Sequence, residues 1–285
     1  MQSPAGRMPT HIYIWDNRVL YAGPTLAPRY RSYGSAALLV GVESNLRVHR
    51  QTHASEMVDT RCCLVRPGLP IWVESDSPSV MVLFLDPFLH DFTALSGTAN
   101  HKIRDILWSL NGEDHLVSLA QHILGASLSP QAVLGTLVKQ GVPDTNRLDP
   151  TSVDPRVVRA ISMIRGGRTQ NITTEDLAAT VNLSVPRVIQ LFRQYLGISA
   201  GRYRQWHRLH ATTLAIANGH TFTQAAVASG FSDLAHFSNT FHGMMGVMPS
   251  GLLRTSEGVR FHIDPQLSAE GFSTLPGSDA SLEVS

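Results

Sequence analysis

Four side chains in one short stretch, Arg187, Gln190, Arg193 and Gln194, carry donor and acceptor forks suited to flat polar edges. A guanidinium grips a guanine edge or an oxyanion through parallel N–H donors, and a glutamine amide pairs with adenine through one donor and one acceptor. The stretch is SVPRVIQLFRQ, residues 184–194, in which Val185, Val188, Ile189 and Phe192, continued by Leu196, recur at the spacing of one helix face. With those residues inward, Pro186, Arg187, Gln190, Arg193 and Gln194 point outward.

The first third of the chain offers different chemistry. Arg29, Arg31, Arg47, Arg50, Arg61 and Arg66 fall on or beside strand-like segments, with Tyr30, Tyr33 and Trp72 as aromatic walls. Turned inward, a few of them select an anionic small molecule, and Arg29, Arg31, Tyr33, Arg66 and Trp72 are the candidate set. Turned outward, they are a solvated strand face. Arginine is almost the only base in the chain, Lys102 and Lys139 being its only lysines, so arginine as such is a weak signal. His49 and His53 sit four apart and can share a strand face, but no HxH pair or nearby glutamate completes a metal site. No metal, cofactor or catalytic residue is therefore expected. Cys62 and Cys63 are adjacent, point to opposite faces of a strand, and predict no disulfide and a reduced, cytoplasmic setting.

The recognition-type stretch belongs to a unit that occurs twice. NLSVPRVIQLFRQYLG, residues 182–197, is matched roughly 48 residues later by GFSDLAHFSNTFHGMMG, residues 230–246, with one residue inserted. Ala178 and Ala226 precede each turn by four residues, and Asn182 and Gly230 readily accept the left-handed conformation a sharp helix-to-helix turn needs. Thr173 or Thr174 caps the first helix of one unit, and Thr221 or Thr223 that of the other. Two helix-turn-helix units are predicted. Between them AGRYRQWHRLHATTLAIANG, residues 200–219, reads as a helix with Ser199 as cap and Gly219 as stop. At ~1.5 Å per residue it spans about 28 Å, close to the ~34 Å between successive major-groove segments on one face of DNA.

LAATVNLSVPRVIQLFRQYLGIS and AAVASGFSDLAHFSNTFHGMMGVMPSGLLR resemble the AraC family of bacterial transcription regulators over residues 170–254, most specifically in GFSD, Phe237, Phe241, Gly246 and Pro249. The resemblance implies a sequence-specific regulator, an activator more often than a repressor, that binds promoter DNA, works with RNA polymerase and answers a small-molecule effector. It places DNA contacts at Pro186, Arg187, Gln190, Arg193, Gln194, Arg202, His236 and Asn239, with Pro186 and Gln190 toward base edges. One departure matters. Where the family carries arginine or lysine around the second recognition helix, this chain has Asn239, Thr240, His242, Gly243 and Met244, so the second unit is expected to contact DNA weakly or chiefly to pack.

Charge follows the same division. Residues 151–258 hold ten Arg against five Asp or Glu, a net of +5, while residues 1–150 hold twelve basic and thirteen acidic side chains, a net of −1. Residues 259–285 carry a net of −3, are rich in Ser and Gly, and are expected to stay disordered.

HIYIWDNRVLYAG, SAALLVGV, LRVHRQ, RCCLVRPG, PIWVES and SVMVLFLD read as short strands separated by turn formers, which points to a β sandwich or small barrel. The family resemblance implies a cupin-like barrel. HKIRDILWSL, EDHLVSLAQHIL and SPQAVLGTLVKQ read as amphipathic helices. The apolar stripe Leu116, Leu119, Ala120, Ile123 and Leu124 serves either to dimerise the chain or to cover the barrel. The expected organisation is α+β in two domains: a cupin-like effector and dimerisation domain over residues 1–140, a linker over 141–155, a double helix-turn-helix domain over 156–256, and a tail over 257–285. No run of 18 apolar residues predicts a membrane span, and no signal segment opens the chain. The rival reading is a cupin-type metal-dependent enzyme fused to a helical domain.

Overall fold

A computed structural model of the chain describes residues 9–50, 53–103, 105–143, 153–167, 172–245, 247–253 and 258–270. The strands are β1 (Thr10–Ile14), β2 (Arg18–Pro24), β3 (Arg29–Arg31), β4 (Ala36–Gly41), β5 (Leu46–Arg50), β6 (His53–Thr60), β7 (Cys62–Val65), β8 (Ile71–Ser75), β9 (Ser79–Leu85), β10 (Ala99–Ile103), β11 (Ile106–Leu110) and β12 (Val259–Ile263). They form an eight-stranded sheet in the order β10-β11-β7-β4-β9-β2-β1-β12 and a four-stranded sheet in the order β3-β8-β5-β6.

The centre of the large sheet is buried on both faces, which is why β4 and β9 read as unbroken apolar runs rather than alternating ones. Side-chain alternation divides each strand between two cores. Leu38, Leu64, Met81 and Leu83 face the helices α2 (Glu113–Gly125) and α3 (Pro130–Lys139). Leu39, Cys63, Val82 and Phe84 face the small sheet and the C-terminal domain. Cys62 and Cys63 are both free and buried, each in a different core, and burial pushes the Cys63 thiol up to about 12. The α2 stripe packs on β1, β2 and β4, so of its two sequence readings the structure supplies the cover for the sheet.

Two expectations are corrected. HKIRDILWSL is not a helix but the β10–β11 hairpin, with Ile103 facing Ile106 and β11 paired to β7. Its Ile103, Ile106, Leu107 and Leu110 fit a helical period by accident, and the exposed edge of β7 decides the outcome. Residues beyond 258 are not all tail: β12 adds parallel to β1, His11 opposite Arg260 and Tyr13 opposite His262, before α11 (Pro265–Glu270). Most of the expected linker, residues 144–152, lies outside the described residues, as do residues 271–285 of the expected tail.

The remaining helices are α1 (His90–Ser96), α4 (Pro155–Gly166), α5 (Thr174–Thr180), α6 (Val185–Leu196), α7 (Ala200–Ala217), α8 (Phe222–Ala228), α9 (Leu234–Met245) and α10 (Pro249–Leu252). Asp154 caps α4 through the Arg156 amide, with Pro155 at the first helical turn.

Candidate nucleic-acid interface

The two helix-turn-helix units, α5–α6 and α8–α9, are built by the same local devices 48 residues apart. Thr173 and Asp176 form a capping box at α5, as Thr221 and Gln224 do at α8. Asn182 turns the first unit at φ 52° and Gly230 the second at φ 83°. In both, the amide after the turn residue donates back to the small alanine: Leu183 to Ala178 O and Phe231 to Ala226 O, each at 3.0 Å. Alanine at those positions keeps the paired helices close.

On α6 the side chains Val188, Leu191, Phe192 and Leu196 are buried. Leu191 is one the sequence reading left out of the inner face. Pro186, Arg187, Gln190, Arg193 and Gln194 are all exposed on the opposite side. Arg187 Nη1 donates to Gln190 Oε1 at 2.8 Å, which holds the two forks side by side before any partner arrives. On α9 His236 and Asn239 are exposed, but no arginine or lysine accompanies them on the helix. Ser232 and Asp233 hold the α9 start, Asp233 Oδ1 accepting from the His236 amide at 2.7 Å.

Arg202 behaves differently from its sequence assignment. It is half-buried, donates to the Ser32 carbonyl in the β domain, and burial lowers its pKa. Its guanidinium is committed to the domain contact rather than presented beside α6. His242 likewise meets Arg29 of β3.

The two units differ in what supports them. The first has its own core, in which Val157, Ile161, Leu177, Phe192 and Tyr203 pack together with Phe88. The second shares a core with the β domain, where Trp206, Phe237, Phe241 and Met244 join Ile12, Tyr21, Tyr33 and Phe84. Helix α7 bridges both. Tyr203 Oη donates to Asp86, and the His207 Nε2 lies 3.4 Å from the same carboxylate. Burial pushes the Asp86 carboxyl up, but the hydrogen bond and charge of His207 and the Phe88 amide together hold it below the ordinary range. His210 Nε2 donates to the Trp15 carbonyl at 2.7 Å. No sequence motif signals this buried polar seam, because its members lie more than a hundred residues apart.

The predicted effector residues do not converge. Arg31 is buried in the sandwich, donates to Ala27 O at 2.7 Å, and has no carboxylate in ion-pair range among the described residues. Tyr33 is buried nearby, and burial raises its phenol pKa against the lowering influence of Arg31. Trp72 stacks on His49 with ring centroids 6.2 Å apart and meets Tyr30 edge-on. Arg66 stands apart, in a cleft against α6. His49 is thus occupied in an aromatic stack, while the His53 side chain lies outside the described residues. Among the described residues no group of three or more His, Cys, Asp or Glu is placed to hold a metal ion, and no helix is long and apolar enough to cross a membrane.

Residues 177–255, which take in both units and the helix between them, match the model of a helix-turn-helix domain family. These residues form a domain of the helix-turn-helix type. The chain is 27% identical over 158 residues to the HTH-type transcriptional regulator ArgR of Pseudomonas aeruginosa, covering 55% of this chain and 46% of that protein. The chain spans about half the length of that curated relative. Its fold is similar to an apo single-substitution variant of ToxT of Vibrio cholerae strain SCE256, with a TM-score of 0.56 at 15% identity over 85% of this chain and all of that one. An unsaturated fatty acid-bound ToxT from the same strain aligns with a TM-score of 0.52 at 14% identity over 89% of this chain and 97% of that one. Both likenesses span the β domain as well as the helix-turn-helix domain.

Proposed function

We propose that the chain is a sequence-specific transcription regulator of the cytoplasm that reads promoter DNA chiefly through α6, activates transcription with RNA polymerase, and answers a small anionic effector in its β domain. The observation that carries the reading is the exposed row Arg187, Gln190, Arg193 and Gln194 on α6, opposite a complete apolar core. Arg and Gln side chains at one helix face supply base-edge forks, and the arginines add phosphate attraction. The net of +5 over residues 151–258 favours the same partner. For the effector, the support is Arg31: a buried guanidinium without a carboxylate partner is costly, and an anion entering the sandwich relieves it.

The test is selection of bound duplexes from a random pool by the full chain, repeated with small carboxylates present. Recovery of one site whose binding falls with salt supports the reading. Absence of any salt-dependent duplex binding at low ionic strength sinks it. Metal analysis of the purified protein discriminates the rival enzyme reading.

A further inference from the structure

Where the turn between β7 and β8 meets the C-terminal end of α6, the domains enclose a cleft of about 330 Å³. At its base Gly68, at φ +74°, stands so near the Ile198 side chain that a Cβ there would lie 2.7 Å from Ile198 Cγ2. Gly197, at φ +76°, ends α6 against Pro67 O. Only glycine permits both the conformation and the approach at residue 68. The β wall carries Arg50, Arg66 and Asp105; the α6 wall carries Arg193 and Gln194.

These charges are poorly spent. Arg66 lies over the Phe92 ring, 5.4 Å from its centroid, and reaches Asp105 Oδ1 only at 3.5 Å. Arg50 Nε is buried with no hydrogen-bond partner. Three guanidinium groups against one carboxylate leave a net of two positive charges on one cleft.

We infer that this cleft binds a small dianion, a dicarboxylate or a phosphate, and that its occupancy draws Arg193 away from DNA. Guanidinium forks from Arg50 and Arg66 take one end of the ligand, displacing Asp105 from Arg66, and Arg193 takes the other. A side chain engaged across the cleft is unavailable to a DNA phosphate, so ligand and DNA compete for it. The site is separate from the sandwich interior around Arg31. Its regulatory half rests on the reading of α6 as the DNA helix; its binding half does not.

The experiment titrates the full-length protein with succinate and, separately, with inorganic phosphate, each against sodium chloride of matched ionic strength, and follows heat and duplex affinity. Saturable binding of either anion above the chloride control is expected. It weakens about tenfold or more in Arg50→Ala and in Arg66→Ala, the loss of one charged contact. The bound anion lowers duplex affinity in the natural protein and no longer does so in Arg66→Ala. Binding that survives both substitutions, or binding of neither anion, overturns the site. Loss of duplex affinity in both variants without anion binding assigns Arg50 and Arg66 to the DNA backbone and overturns it too. Anion binding with duplex affinity unchanged overturns the coupling alone. A protein that binds the anions but no duplex refutes the regulator reading and leaves the site standing.

Discussion

The phenol of Tyr203, on the helix that joins the two helix-turn-helix units, lies 2.9 and 3.0 Å from the two carboxylate oxygens of Asp86 at the end of β9. Both groups are fully buried. The phenol places a hydrogen-bonded charge at the joint between the domains, with His207 on the next turn of α7 beside it. A buried carboxylate tolerates no missing donor.

Tyr203→Phe removes one donor and leaves the shape, so it should cost about 1–3 kcal/mol. Urea unfolding of the full chain measures it. A change below the scatter of the method would show that His207 and the Phe88 amide satisfy Asp86 without the phenol.

On the recognition face the roles separate. Gln190→Ala should relax preference at one or two base pairs, each bidentate contact being worth about 1–3 kcal/mol of discrimination. Arg193→Ala should weaken binding to every sequence and lower the salt slope, and Asn239→Ala should do least. Titration of each variant against a selected duplex checks the order. A larger specificity loss from Asn239→Ala than from Gln190→Ala would put α9 in charge of reading.

The chain cut at residue 150 should separate the units. Trp206, Phe241, Met244 and Met245 lose Ile12, Tyr21 and Phe84 as neighbours, at about 1.5–3 kcal/mol for each large side chain exposed. Residues 151–258 alone should still bind duplex DNA through α6, while α9 amides lose hydrogen-exchange protection. Equal protection of α9 in fragment and full chain would refute the shared core.

Acid should loosen β12. The His11 and His262 rings are 3.0 Å apart, nitrogen to nitrogen. Burial first, then the charges of His262 and Arg260, lower His11 from 6.5 to about 4, and burial and Arg260 lower His262 as well. Above pH 6.5 both rings are neutral docked or undocked, so pH has no effect. Between 6.5 and about 4 the undocked strand takes up protons that the docked one refuses, and docking weakens as pH falls. Amide exchange of Val259–Ile263 at the two ends of that window measures it; equal protection refutes the argument.

Asn182 holds φ 52° in the turn of the first unit. Asn182→Gly should be nearly neutral, whereas Asn182→Val, with a branched β-carbon forced into the left-handed region, should cost about 1–3 kcal/mol. Thermal melting of the two variants decides it, and equal melting temperatures would show that the turn relaxes.

What the sequence by itself determined is local. Capping threonines, turn residues Asn182 and Gly230, paired alanines and the apolar period of α6 act within a dozen residues, so the helix-turn-helix units and the exposed Arg and Gln row are legible without a fold. The alternation at Cys62 and Cys63 assigned them correctly to opposite faces for the same reason. Only tertiary structure decided the rest. HKIRDILWSL suits a helix or a hairpin equally and becomes a hairpin because β7 offers an edge; Arg202 looks like a DNA contact until Ser32 takes it; the tail gains a strand because β1 has an open side. The unequal support of the two units, one with its own core and one fused to the β domain, arises from contacts between residues some two hundred apart, which no local pattern records.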